Sequence, residues 1–272
     1  MIFFTEKYLP MTGTKAFMLL MITTLALLPA FQVQGQSREL SFGGGLNLTA
    51  VRDQAYSPLV YSGTGMDGFL MYRSVTERRE TLWLLSAGSA QLSSTYDRNL
   101  STIAVRLTNL NFYPRSNEHA KLQWGWANNN GFHHRLIDDF QNFNGRVDFF
   151  TTFGPAANYR HPFTLGEQRF RFQTAAHVQL IGIYLPSGYV ASLPSGFSYE
   201  QNSFVGSVVE SIKIFHPGSS FNAGLWPRLE WLLDTGNGIS LNYLYEYSHF
   251  SHPHRSVRSS GHWFVTFNMR LR

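Results

Sequence analysis

Cysteine is absent from this chain of 272 residues. Disulfides, thiolate metal centres and a lipidated N-terminal cysteine are thereby excluded. Charge is scarce: Asp, Glu, Lys and Arg together make up 14% of the residues, against about 25% in soluble domains. Beyond the N-terminal leader there is no apolar run of about 18 residues, so helical membrane spans are excluded from the mature chain. Acids are also missing from the C-terminal stretch, since neither Asp nor Glu follows Glu246. The net charge of +5 comes from bases scattered along the sequence rather than gathered in a patch. Nucleic acid is therefore not expected as a partner. Aromatic residues, by contrast, reach 15%, with Phe and Tyr dominating.

Those aromatics alternate. From 239 to 247, Ile239, Leu241, Tyr243, Tyr245 and Tyr247 take one face, while Ser240, Asn242, Glu246 and Ser248 take the other, with Leu244 as the exception. After a turn-rich run from His252 to Gly261, Trp263, Val265, Phe267, Met269 and Leu271 oppose Thr266, Asn268, Arg270 and Arg272. Period two is the signature of a strand with one apolar face. Ending on such an aromatic-faced strand, the chain resembles bacterial outer-membrane β-barrels, whose last strand closes the barrel. The resemblance implies residence in the bacterial outer membrane. Outer-membrane lipid, lipopolysaccharide and the barrel-assembly machinery are then the expected partners, and the expected state is a monomer. A barrel also reconciles near-neutral hydropathy with membrane residence, because only every second residue must be apolar.

Residues 1–35 read as a secretory signal. Lys7 and Lys15 supply the basic region, Ala16 to Phe31 the apolar core, and Val33-Gln34-Gly35 precede the cut. The remaining 36–272 form one domain. Alternating runs separated by turn residues are expected at 38–50, 65–75, 80–92, 99–113, 119–127, 146–154 and 168–184, followed by the C-terminal strands. Gly43, Gly44 and Gly45 lie within the first run, where they allow a bend or a close backbone approach. No Lys-Ser/Thr follows them, so they are not a phosphate loop, and no cofactor is expected. Residues 128–145 read as a longer outer loop, and His161-Pro162 as an inner turn. Phe204, Val205, Val208, Val209, Ile212 and Phe215 recur at helical spacing, predicting a short amphipathic helix in an outer loop. With that helix, the reading is an all-β, transmembrane, up-and-down antiparallel barrel of about ten strands. With a strand there instead, another must be hidden elsewhere, and twelve result. Inner turns then come out short and outer connections mostly long, as in outer-membrane barrels.

If the aromatic face points outward, Arg73, Arg106, Lys121, Arg146, Asp148, Arg169, Arg171, His177, Arg228, Glu230, Glu246 and Arg270 point into the lumen. Mixed charge in so narrow a barrel predicts a hydrogen-bonded plug. An arginine-lined path for small anions is the alternative. His133, His134, Asp138 and Asp139 share one predicted loop without a recognised ligand spacing, as do His252 and His254, so no metal is expected. His249-Phe250-Ser251 stands at the outer end of the ninth strand. A His-x-Ser pair there resembles outer-membrane lipid A deacylases and phospholipases. That resemblance implies His249 as base, Ser251 as nucleophile and an outer-leaflet ester as substrate. Residue 252 is His where that family has Asn, and the last strand offers no acid to orient His249. Two functions stay open: a non-enzymatic envelope barrel that is structural, a narrow pore or a binder through its loops, and a lipid esterase.

Overall fold

The computed structural model describes residues 37–271 except Tyr56, 114–120, 138–144, 187–211, and His252 with Pro253. The predicted signal, Asp138, Asp139 and residues 204–211 of the predicted helix lie outside the described residues. Among the described residues there are twelve strands: β1 (Ser37–Asp53), β2 (Val60–Val75), β3 (Glu80–Ser93), β4 (Asn99–Tyr113), β5 (Leu122–Ile137), β6 (Gly145–Leu165), β7 (Gln168–Gln179), β8 (Ile181–Pro186), β9 (Lys213–Phe215), β10 (Ser220–Leu232), β11 (Gly238–Phe250) and β12 (Ser256–Leu271).

Ten of them close a barrel in the order β1 to β7, then β10, β11 and β12, all antiparallel. Closure comes from the β1–β12 ladder, which runs from Arg38 opposite Leu271 to Asp53 opposite Ser256. Full closure removes the exposed edges that an open sheet presents. The short strands β8 and β9 extend one wall, β8 pairing with Asp148 to Phe153 of β6 and β9 with β8. Lys213 to Phe215, expected in a helix, is therefore strand, and the described residues contain no helix. Ile214 points outward and Phe215 inward, so this apolar cluster serves a two-residue period at its described end.

Several elements run further than the sequence pattern suggests. β5 continues through 128–137, read as loop, and β6 continues through His161-Pro162, read as turn. The turn after β6 is Gly166-Glu167, with Gly166 at φ 61°. β12 begins at Ser256, inside the run read as a turn. The cause is the same in β5 and β12. Polar residues occupy the lumen face as well as part of the outer face there, which hides the alternation.

Burial shows how the pattern works elsewhere. Every second residue of β11 from Gly238 to Phe250 is buried, while Ile239, Leu241 and Tyr245 are exposed. Along the middle of the outer wall the large exposed side chains are apolar, among them Leu46, Met66, Trp124, Leu225 and Val265. The buried ones are largely polar, an inversion of a soluble core. Gly43 and Gly45 are required by sharp curvature: a Cβ at either would meet the backbone carbonyl of Val265 or Trp263 on β12. Gly44, on the outer face, has room, its nearest neighbour being the Asp67 carbonyl at 3.4 Å.

Candidate functional site: a filled lumen and an outer-rim His-Ser pair

Inward parity gathers charges from distant strands into stacked layers. At the end where β1 begins, Glu39 accepts from three guanidinium groups: Arg228 at 2.7 Å, Arg171 at 3.0 Å and Arg73 at 3.3 Å. Arg73 also donates to Glu80 at 2.7 Å, Arg171 and Arg228 to Glu230 at 2.7 and 3.3 Å, and Arg160 pairs with Glu80. Glu39, Glu80, Arg73 and Arg171 are each held by partners on two or more other strands. A buried guanidinium stays charged, so such reciprocal pairing is what makes its burial tolerable.

Above this layer the lumen is apolar. Phe69 packs on Phe264 with ring centroids 4.9 Å apart and on Trp226 at 6.2 Å, with Met71, Leu82, Leu110 and Phe112 filling the remaining width. The cavity there is about 20 Å³ and is lined by Phe69, Leu84, Trp226, Leu244 and His177 among others. That is room for about one water, not for a solute.

A second polar layer follows. Arg106 pairs with Glu246 and lies 3.2 Å from His133 Nε2. His262 bonds Asp67 through Nδ1 and Ser260 Oγ through Nε2 at 2.9 Å, while Asn47 Nδ2 donates to Asp67 at 2.9 Å. His177 Nδ1 lies 3.0 Å from Gln179 Nε2. Toward the opposite end of the barrel, Arg135 and Arg146 each reach Asp53 at 2.9 Å, both also pair with Asp148, and Tyr184 donates to Asp148 at 2.9 Å. Aromatic and aliphatic side chains close this end: Tyr184 stacks on Phe250 at 4.2 Å beside Phe150 and Phe215, and Tyr61, Leu92, Leu100 and Ile137 form a second cluster.

Of the residues expected in the lumen, Arg106, Asp148, Arg171, His177, Arg228, Glu230 and Glu246 lie in these layers, with Arg73 and Arg146. Arg169 does not. Its side chain is 57% exposed at the rim, 3.8 Å from Asp234. Lys121 and Arg270 are likewise exposed at that rim, because the strands end there and the side chains turn into solvent. His133, expected in a solvated loop, is buried on the inner face of β5, and His134 faces outward. Sequence reasoning missed Glu39, Glu80, Asp53, Asp67, Arg135 and His262. Parity was the signal that could have found Glu39 and Glu80, which share their strands' inward face with Ser41 and Leu82.

His249 stands on the outward face of β11, and Ser251 follows the strand, its N–H bonded to the Ser219 carbonyl at 3.0 Å. His249 Nε2 is buried without a hydrogen-bond partner. Among the described residues no carboxylate contacts His249, and no hydrogen bond joins it to Ser251. The described residues also hold no group of three or more His, Asp or Glu able to bind a metal ion.

No protein-family model matches this chain, and no curated protein does. Among solved structures it is similar to the translocator domain of the autotransporter NalP from Neisseria meningitidis, at 10% identity, covering 94% of this chain and 97% of that one, TM-score 0.36. The transport unit of the Escherichia coli autotransporter AIDA-I matches at 11% identity over 96% and 99% of the two chains, TM-score 0.35. The toluene transporter TbuX from Ralstonia pickettii matches at 8% identity over 88% and 91%, TM-score 0.23. Scores this low leave the architecture to rest on the barrel's own strand pairing.

Proposed function

We propose that the chain is an integral barrel of the bacterial outer membrane, delivered by its N-terminal signal, with a shut lumen and a non-enzymatic role in the envelope as a structural element or a binder through its outer loops. The observation that carries this is the inversion of polarity: an outer wall of apolar and aromatic side chains surrounds stacked layers of ion pairs and packed rings. A hydrocarbon surround rewards an exposed belt of Leu, Met, Val and Trp that encircles the barrel. Strands of 12 to 21 residues in the closed barrel exceed the span of the hydrocarbon layer, for which about 9–11 residues suffice. The surplus carries loops beyond the membrane surface. An ester hydrolase at His249 and Ser251 would need a group orienting the imidazole, and the described surroundings supply none.

Two measurements test the proposal. The purified barrel should migrate differently boiled and unboiled, and should fractionate with the outer membrane. In planar bilayers it should give no steady conductance, because the apolar layer around Trp226 has no continuous water path. Identical migration sinks the barrel, whereas a reproducible ion-selective step conductance sinks the shut lumen.

A further inference from the structure

One sector of the outer wall breaks the apolar pattern. On β5 the outward residues run Trp124, Trp126, Asn128, Asn130, Phe132, so two amides sit between aromatic stretches. On β4, Asn109 and Asn111 lie between Leu107 and Tyr113, and on β6 Thr151 lies between Phe149 and Phe153. Register places these residues side by side: Asn109 opposite Asn128, and Asn130 opposite both Leu107 and Thr151. No other strand carries an outward amide between two apolar stretches among the described residues. Outward polar residues elsewhere, such as Gln91 and Asn99, stand near the outer ends of their strands.

These side chains form a ladder. Thr81 donates to Asn111 at 2.9 Å, Asn130 to Asn128 at 2.6 Å, Thr151 to Asn130 at 3.0 Å, and Asn109 to the Leu82 carbonyl at 3.3 Å. Asn109 and Asn111 are buried, whereas Asn128 and Asn130 are only half-buried and Thr151 is exposed. Asn128 spends one amide N–H on the Thr152 carbonyl at 3.1 Å, and its second has no acceptor among the described residues. Facing lipid, that donor would have no water to satisfy it.

We propose that this wall, on β4 to β6, is the in-membrane interface of a two-fold homodimer, an inference that rests on the outer-membrane reading above. The occupant follows from the chemistry of the patch. Half-buried Asn128 and Asn130 carry donors and acceptors together, so this part of the ladder is complementary to a copy of itself, as an isologous contact requires. Exposed Trp124 and Phe153, at 57% and 42%, supply a flat aromatic border on which a second barrel packs. The wall across the barrel, around Leu229, Leu241 and Val265, is apolar and complete in lipid alone. A dimer replaces the monomer expected from the sequence.

The absence of cysteine makes the test clean. Phe132→Cys and Thr151→Cys, each introduced singly into the full chain, should give a disulfide-linked dimer on oxidation of isolated outer membranes, whereas Val265→Cys on β12 should not. Combining Phe132→Cys with Asn128→Leu and Asn130→Leu should abolish the dimer band while heat-modifiable migration persists. Should that combination fail to fold, Phe132→Cys with Asn128→Ala takes its place. Equal cross-linking at Val265→Cys, no cross-linking at either patch position in a heat-modifiable, membrane-fractionating barrel, or cross-linking only to a different protein overturns the homodimer. Loss of membrane fractionation in the unmodified chain refutes the outer-membrane reading instead.

Discussion

Glu39 is the most instructive residue to perturb, because its removal and the removal of its partner should differ sharply. The layer holds four guanidinium groups, Arg73, Arg160, Arg171 and Arg228, against three carboxylates, Glu39, Glu80 and Glu230. Glu39→Gln keeps the volume but leaves four cations facing two anions, and three arginines lose a partner at 2.7 to 3.3 Å. Stranding buried charge in this way costs about 3–5 kcal/mol. Arg228→Met removes the same 2.7 Å pair yet leaves three cations against three anions, with Glu39 still held by Arg73 and Arg171. The methionine stem stays beside Met71, whose sulfur now lies 3.7 Å from Arg228 Nη1. A loss of about 1 kcal/mol is expected, since Glu39 keeps two guanidinium partners and Glu230 keeps Arg171, so no buried charge is left without a partner. Guanidinium unfolding of the refolded barrel, followed by tryptophan fluorescence, reads the difference. At a slope of about 4 kcal/mol per molar, Glu39→Gln should lower the midpoint by about 1 M and Arg228→Met by about a quarter of that. If the two substitutions cost the same, pairwise attraction rather than the charge balance of the layer governs the lumen.

Three further outcomes follow from the geometry. Gly45→Ala should yield no heat-modifiable band, because its Cβ would meet the Trp263 carbonyl, while Gly44→Ala, facing outward with its nearest neighbour at 3.4 Å, should assemble normally. Val265→Arg on the outer wall should lower folding stability in lipid vesicles by about 2–4 kcal/mol, the cost of a cation at mid-membrane depth; an unchanged midpoint would place β12 outside the hydrocarbon layer. Ser251→Ala should leave the lipid A and phospholipid profiles of overexpressing cells identical to those of the unmodified chain. A difference between them would restore the esterase.

The barrel was legible in the sequence wherever one face was uniformly apolar. Ile239 to Tyr247 and Trp263 to Leu271 alternate, with Leu244 the one exception; in the structure Glu246 points inward and Leu244, on the same inward face, lies in an apolar layer that the alternation did not announce. It failed where polarity served both faces. From Asn128 to Arg135 the inward residues Asn129, His133 and Arg135 fill the lumen while Asn128 and Asn130 face outward, so no alternation marks the strand. The partners of each charge were not legible at all. Glu39 meets Arg228 across 189 positions of sequence, and only closure of the barrel brings them together. Arg169 shows the complementary limit: parity gives a side chain's direction but not the height at which the lumen ends.

The second polar layer makes the same point about chemistry. Ser260, His262 and Asp67 are arranged as a serine, base and acid, with Asn47 steadying the acid. Roles as well as order define a triad, and here they are not met. Ser260 is 2% exposed, the adjacent cavity is lined by other residues, and Glu246 lies 3.4 Å from the same Nε2 that faces the serine. No acyl group has room to approach. The arrangement has a simpler cause, since residues two apart on an inner barrel face stand side by side and every buried polar group among them needs a partner. What results joins β12 through β1 to β2, and through Glu246 and Arg106 to β11 and β4. That path crosses the one ladder, β1 with β12, where the two ends of the barrel sequence meet. A constellation that looks catalytic is therefore placed where it can fasten the seam.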